Sequence, residues 1–142
     1  MATMTLRVAA RAVIVKDAKV LIVREADTYE EGTNIGRWVL PDGRINDDEA
    51  FYDGLAREVR EETGLNVEPI RPVYVGEWWP VIKDVPHHIV GMYIVCLPRA
   101  TTVVLSDEHN EYAWVNSDEI DQYHIVSPND QAIRLALNGE NG

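Results

Sequence analysis

The chain has 142 residues, of which 46% are hydrophobic and 26% are charged. This length suits one domain spanning residues 1–142, and the composition is that of a globular chain rather than a disordered one. Thirteen Lys and Arg against 24 Asp and Glu give a formal net charge of -11, which argues against nucleic-acid polymers and anionic membranes as partners because their phosphates would be repelled.

The chain begins with a predicted β-hairpin. Residues 7–15 and 19–24 are rich in β-branched residues, and the polar residues between them indicate a turn. Residues 25–37 are acidic, polar and contain two glycines, which is typical of a loop. This loop runs into the short apolar segment 38–41, just before the pattern changes to that of a helix.

Residues 47–63 form the strongest helix prediction in the chain. The segment contains no proline and only one interior glycine. Asn46 stands three residues before Glu49, as in a capping box, and Gly64 provides a stop signal. We therefore expect a helix that ends at Gly64.

The second half of the chain predicts three strands and a second helix. Residues 72–79 and 87–97 favour strands, and residues 112–115 form a plausible short strand. Ser127 as N-cap and Pro128 at the first helical position begin the second helix. The order of strands, helix, strands, helix predicts an α+β domain in which helices pack on a mixed sheet.

Three carboxylates crowd one part of the first predicted helix. At about 100° per residue, Glu58 and Glu62 lie one turn apart and Glu61 lies beside them. Arg57, four residues before Glu61, offers the only partial neutralisation within the helix. A solvated acidic face and a site for a hard cation such as Mg²⁺ both account for this cluster.

The spacing of the whole segment separates these alternatives. Gly43 is followed after five residues by Glu49 and after seven more by the run REVREETGL at residues 57–65. At average composition this match arises by chance about once in 10⁷ chains. The segment resembles the Nudix box, and residues 38–41 before it and 107–114 after it also look like this family.

The resemblance implies a Nudix-type α/β/α sandwich, with a mixed β-sheet flanked by helices, and hydrolysis of a nucleoside diphosphate linked to another moiety. Carried over by position, Glu58, Glu61 and Glu62 are metal ligands, and one of them acts as the base that activates water. Arg57 orients the glutamates, and Glu49 braces the loop and helix by charge pairing. The implied cofactor is Mg²⁺, with Mn²⁺ as a substitute.

One position departs from the family's pattern. Similar proteins usually carry Gly directly before the first Gly of the box, and this chain has Asp42. The backbone carbonyl at that position is often a metal ligand in the family. The resemblance therefore implies the Asp42 carbonyl as a ligand, without the conformational freedom that glycine has.

Four residues outside the box are candidates for substrate binding. Arg24 ends the second strand, where similar enzymes often carry a cation for phosphate, although a solvated charge is the alternative. Glu108 or Glu111 supplies a further ligand or the base, unless both belong to a surface loop. Trp78 and Trp79 point to opposite faces of a strand, so at most one reaches the cleft; Trp79 is the candidate for stacking on a base, and core packing is the alternative.

The remaining metal-binding and reactive side chains predict no second site. His87 and His88 alternate faces and lack a nearby Cys or His at ligand spacing, so we expect no zinc. Cys96 is the only cysteine, stands in an apolar run and is expected in the core. The absence of a disulfide, of an apolar signal-peptide core and of a membrane-length stretch predicts a cytoplasmic protein without a membrane partner.

Two functions fit the resemblance, an active pyrophosphohydrolase and a non-catalytic nucleotide-sensing domain. Because every glutamate of the box is present, we expect the enzyme. The chain is close to a bare domain, which favours a nucleoside triphosphate or modified dNTP, cleaved to the monophosphate plus pyrophosphate. Nucleotide sugars and dinucleoside polyphosphates are the alternatives, and a homodimer is the default expectation for the assembly.

Overall fold

The computed structural model describes residues 4–30 and 32–139. In these residues no helix has both the length and the apolar character needed to cross a bilayer. The elements in chain order are β1 (Thr5–Lys16), β2 (Lys19–Glu25), β3 (Trp38–Val39), β4 (Asp42–Arg44), α1 (Phe51–Thr63), β5 (Val67–Trp78), β6 (Val81–Ile82), β7 (Val85–Pro98), β8 (His109–Val115), a 3-10 helix (Ile120–Gln122) and α2 (Asn129–Gly139).

The strands form one mixed sheet with β1 at its centre. The main path runs β3-β2-β1-β7-β5, while β4 pairs with β1, β6 with β7 and β8 with β2. The pairing of β1 with β7 is parallel and runs from Thr5 opposite His87 to Ile14 opposite Cys96. The other pairings between these strands are antiparallel.

The central strands are buried on both faces, because successive side chains point to opposite sides of a sheet. The core on the α1 side contains Ala10, Ala12, Ile14, Leu21, Leu55, Val59, Leu65, Val67, Ile94 and Cys96. The core on the α2 side contains Val13, Val15, Val20, Ile22, Leu40, Tyr93, Val95, Val115, Ile120, Ala132, Ile133, Ala136 and Leu137. The predicted sandwich of helices around a mixed sheet is therefore confirmed.

Cys96 lies in the core, as its apolar neighbours predict. It is 0% exposed, and burial raises the pKa of its thiol to about 12. A thiol with such a pKa is protonated at neutral pH and is a poor nucleophile.

The predicted start of α1 at residue 47 is wrong, because the helix begins at Phe51 with Ala50 as its N-cap. Glu49 does accept a hydrogen bond of 2.8 Å from the backbone N–H of Asn46, but this turn precedes the helix. The stop at Gly64 is confirmed. Gly64 is left-handed with a φ of 74°, and its N–H donates to the carbonyl of Arg60.

The second half also differs from prediction at the ends of its elements. β5 begins at Val67 rather than residue 72, because an edge strand with bulges at Pro69 and Pro72 tolerates proline. Long-range pairing with β2 extends β8 back to His109. The helix α2 begins at Asn129, so the assignment of Ser127 as N-cap and Pro128 as first residue is wrong by one position. Instead, the side chain and backbone N–H of Asn129 both donate to Val126.

A pair of substitutions on α2 tests the second core. Ile133 is 0% exposed and Leu135 is 47% exposed on the same helix. Ile133→Ala leaves a cavity and is expected to lower the free energy of unfolding by about 2–5 kcal/mol. Leu135→Ala is expected to cost less than about 1 kcal/mol. Urea unfolding measures both values, and equal losses would contradict the packing of α2 on the sheet.

Candidate active site

A cleft of about 370 Å³ opens beside the N-terminal half of β1. Its lining combines acidic residues with cations and two large aromatic rings. The charged and aromatic residues that line it are Arg7, Arg11, Glu25, Tyr29, Asp42, Arg44, Glu58, Trp78, Glu108 and His109. The strands β1, β4 and β8, the loop after β2 and the helix α1 all contribute to this one cavity.

Arg57 organises the carboxylates of α1. Its guanidinium donates two hydrogen bonds to Glu49, of 3.0 and 2.7 Å, one to Glu58 of 3.0 Å and one to Glu61 of 3.2 Å. These hydrogen bonds lower the pKa of Glu49 to about 2. The structure thus brings Arg57 into contact with three box glutamates, while their catalytic roles stay predictions.

Glu62 differs from the other glutamates because it is buried, with 3% of its surface exposed. Its Oε2 accepts a hydrogen bond of 3.0 Å from the backbone N–H of Asp42. Burial, followed by the negative charges of Asp42 and Glu108, raises the pKa of Glu62 well above its usual value. A nearby cation would allow this carboxyl group to ionise.

Asp42 fits the backbone where similar proteins usually carry glycine. The left-handed residues of the described chain do not include Asp42, so glycine's conformational freedom is not needed there. Its carboxylate lies 3.3 Å from the guanidinium of Arg11. Glycine is needed at the next position, because a Cβ on Gly43 would collide with the side chain of Glu58.

The carboxylates of Glu62 and Glu108 converge with the imidazole of His109. One potential ligand atom from each residue lies within 4.8 Å of those of the other two. His109 is 7% exposed, and its Nδ1 is buried without a hydrogen-bond partner in the described residues. Burial lowers the pKa of this imidazole. The sequence analysis missed His109, whose only signal was its place in the acidic segment 107–111.

Trp78 and Arg11 form an aromatic and cationic part of the cleft. The guanidinium carbon of Arg11 lies 4.4 Å from the centroid of the Trp78 ring, and its Nη1 donates a hydrogen bond of 2.9 Å to Asn129. Trp78 crosses Gly91, where an added Cβ would collide with the indole. The sequence analysis missed Arg11 as a site residue; a charge between the buried Ala10 and Ala12 was the available signal.

The other predicted substrate contacts lie apart from this lining. Arg24 donates a hydrogen bond of 3.2 Å to the carbonyl of Gly36 and pairs with Glu111 at 3.6 Å. Trp79 is 57% exposed and stacks on His88 at a centroid distance of 4.8 Å. In the described residues, Trp78 rather than Trp79 lines the cleft. The substrate contacts of Arg24, Trp79 and Glu111 stay predictions.

Glu25 is a further buried acid of the cleft that the sequence analysis missed. It is 8% exposed and accepts a hydrogen bond of 2.8 Å from the backbone N–H of Asn34. Burial raises its pKa. Its contact with Asn34 holds the loop after β2 against the cleft.

The family model that matches this chain describes the NUDIX domain and covers residues 5–136. A MutT-like protein of Streptomyces ambofaciens is 34% identical over 110 residues, which are 78% of this chain and 63% of that protein. The match thus spans less than two thirds of that relative. The nucleoside triphosphatase NudI of Escherichia fergusonii is 27% identical over 125 residues, covering 79% of this chain and 83% of NudI.

Solved structures share the fold along nearly the whole chain. A MutT protein from Methanosarcina mazei Go1 has a TM-score of 0.76 and 26% identity, covering 97% of this chain and 96% of its own. An ADP-ribose pyrophosphatase from Streptococcus suis has a TM-score of 0.71 and 22% identity, covering 96% and 92%. At that identity the second likeness concerns the fold alone.

The contact between Glu49 and Arg57 predicts a pH-dependent stability. The pKa of Glu49 falls from 4.5 to about 2 on folding. Its contribution to the free energy of unfolding is therefore complete above pH 4.5 and is lost as the pH falls toward 2. Glu49→Gln is therefore expected to lower Tm at pH 7, with a difference from the wild type that shrinks between pH 4.5 and 2. Thermal unfolding across this range measures it, and a difference independent of pH would contradict the ion pair.

Proposed function

The chain belongs to the NUDIX domain family, and we propose that it is a magnesium-dependent pyrophosphohydrolase. Its proposed substrate is a nucleoside triphosphate or modified dNTP, cleaved to the monophosphate plus pyrophosphate. The complete run of box glutamates supports turnover rather than nucleotide sensing. The similarity to NudI, which is named as a nucleoside triphosphatase, supports the choice of substrate.

The buried carboxyl group of Glu62 is the observation that carries this proposal. Besides burial, the negative charges of Asp42, Glu108 and Glu58 raise its pKa. A buried carboxylate among carboxylates is costly unless a cation joins it. These oxygen donors suit a hard divalent cation, which keeps part of its shell for water and substrate phosphate.

The proposal keeps as metal ligands Glu58, Glu61, Glu62 and the backbone carbonyl of Asp42. Glu58 and Asp42 line the cleft, and Glu62 is joined to Asp42 by its hydrogen bond. Glu61 is the most exposed of the three helix glutamates and is held by Arg57. A divalent cation held there would stabilise charge that develops on the phosphoryl oxygens and lower the pKa of a bound water.

Glu58 is the proposed base. Burial raises its pKa above the usual value, which suits a group that takes a proton from the attacking water. The water oxygen forms a bond to phosphorus, Glu58 accepts the proton, and the bond to the departing pyrophosphate oxygen breaks. Arg57 orients Glu58 through its hydrogen bond of 3.0 Å, and Glu49 holds Arg57 from the other side.

Trp78 is the proposed platform for the base of the nucleotide. It lines the same cleft as Glu58 and Glu108, and its indole has a polarisable face suited to stacking on a planar base. Arg7, Arg11 and Arg44 also line the cleft. They bring local positive charge to a chain whose net charge is -11.

The first test compares two substitutions on α1 that each replace a carboxyl group by an amide. Glu62→Gln is expected to lower kcat with Mg²⁺ by about a hundredfold or more, the scale on which loss of one preorganised electrostatic contact acts. Asp53→Asn, at an exposed position of the same helix, is expected to retain activity. Phosphate release from nucleoside triphosphates coupled to inorganic pyrophosphatase, and from nucleotide sugars and dinucleotides coupled to alkaline phosphatase, measures both.

The coupling enzymes distinguish the outcomes. Signal that requires pyrophosphatase supports cleavage to monophosphate and pyrophosphate. Signal that requires only the phosphatase, obtained with nucleotide sugars or dinucleotides, would replace the proposed substrate by a capped diphosphate. Nucleotide binding without turnover on every compound would refute the enzyme in favour of a sensing domain.

A second test separates the two adjacent tryptophans. Because base stacking contributes about 1–3 kcal/mol, Trp78→Ala is expected to raise KM by about 5- to 150-fold. Trp79→Ala is expected to change KM little, since Trp79 stacks on His88 outside the cleft. Steady-state kinetics of the two variants measure the values. The reverse order would restore the sequence-based assignment of Trp79.

A further inference from the structure

We propose that His109 supplies a nitrogen ligand beside Glu62 and Glu108, and that this mixed site binds Mn²⁺ in preference to Mg²⁺. This inference rests on the proposed function, because it names the class of cation that the same cleft takes. It adds a residue of the strand β8 to the oxygen donors of the helix α1.

The three side chains are spaced for one cation. Their potential ligand atoms lie within 4.8 Å of one another. In octahedral coordination at about 2.0–2.2 Å, two ligand atoms are about 3–4.4 Å apart. A small side-chain adjustment therefore suffices to bring the three atoms into one coordination shell.

The imidazole of His109 is buried, and one of its nitrogens lacks a hydrogen-bond partner in the described residues. The residue is 7% exposed, and Nδ1 has no hydrogen-bond partner among residues 4–30 and 32–139. A buried ring nitrogen without a partner is costly, so natural structures usually provide one. A cation between His109 and the two carboxylates would satisfy the ring and neutralise the acids together.

The backbone around His109 fixes this arrangement. The N–H of Ser106 donates to the carbonyl of Glu62 at 3.1 Å, and the N–H of Ala26 donates to the carbonyl of Glu108 at 2.8 Å. The N–H of His109 bonds the carbonyl of Ser106 at 3.3 Å. These bonds tie the segment before β8 to α1 and to the residue that follows β2, so the backbones that carry the three donors are held close together before a cation arrives.

The chemistry of the donor atoms decides which cation binds more tightly. Mg²⁺ is a hard ion that prefers oxygen ligands and gives up water reluctantly. Imidazole is a softer donor, which first-row transition ions accept more readily than Mg²⁺ does, with Mn²⁺ gaining least among them. His109 should therefore strengthen Mn²⁺ binding more than Mg²⁺ binding.

Electron spin echo envelope modulation of Mn²⁺ added to the metal-free full chain tests the ligand directly. A coordinated imidazole couples its ¹⁴N nucleus to the electron spin of Mn²⁺. With Mn²⁺ titrated from below one equivalent to saturation, the wild type is expected to show this modulation. Because the signal is read on the unaltered protein, the test does not depend on a variant that folds. Absence of nitrogen coupling at every ratio would overturn the proposal.

Substitution tests the preference between cations. His109→Gln is expected to weaken Mn²⁺ binding by about tenfold or more and to abolish the nitrogen modulation, while Mg²⁺ affinity changes little. His124→Gln, at an exposed histidine, is the control and should leave both affinities unchanged. Competition between Mn²⁺ and Mg²⁺, followed by the EPR signal of free Mn²⁺, measures the ratio. An unchanged ratio in a folded His109→Gln variant would overturn the preference.

The two proposals fail in different ways. Nitrogen coupling to bound Mn²⁺ without hydrolysis of any nucleotide would support the His109 ligand and refute the proposed activity. Hydrolysis with Mg²⁺ but no nitrogen coupling would support the activity and refute His109 as a ligand.

Discussion

The site depends on gathering several carboxylates of α1 and of the turn before it while keeping the protein folded. The protein provides hydrogen-bond donors to four of these carboxylates, in two ways. Glu49, Glu58 and Glu61 share the guanidinium of Arg57, whereas Glu62 is buried with a backbone N–H as its donor. Taking a carboxylate out of water costs several kcal/mol unless it is compensated. The chain therefore places a buried carboxyl group, whose pKa is raised by burial and by neighbouring acids, at the point where a cation and a polyanionic substrate would meet.

Asp42 joins the two halves of the cleft. Its backbone N–H bonds Glu62, and its carboxylate pairs with Arg11, which in turn lies against Trp78. The register of β1 and β4, with Arg11 opposite Asp42, makes this link a consequence of strand pairing. A glycine at this position would preserve the bond to Glu62 and lose the link to Arg11. Asp42, which stands where the family usually has glycine, thus links Glu62 to Arg11 and Trp78.

The local parts of the site were predictable from the sequence, and the long-range parts were not. The box spacing and helical period placed Glu58 and Glu62 together, because both depend on neighbours within a few turns. The start of α1 was misplaced because Glu49 serves Arg57 rather than the first turn of the helix. Strand alternation indicated that at most one of the two adjacent tryptophans reaches the cleft, but choosing Trp78 over Trp79 requires the tertiary contact with Arg11. His109 was missed because its place beside Glu62 depends on long-range contacts, namely the pairing of β8 with β2 and the bond from the N–H of Ser106 to the carbonyl of Glu62.

The distribution of cations links metal binding to nucleotide binding. Arg57 is engaged by three glutamates, Arg24 by Glu111 and Arg11 by Asp42. Arg7 and Arg44 also line the cleft and take part in none of the ion pairs just named. In a chain of charge -11, these two offset little of the charge on a triphosphate. A bound divalent cation would therefore strengthen nucleotide binding, and by linkage the nucleotide would strengthen binding of the cation by the same factor.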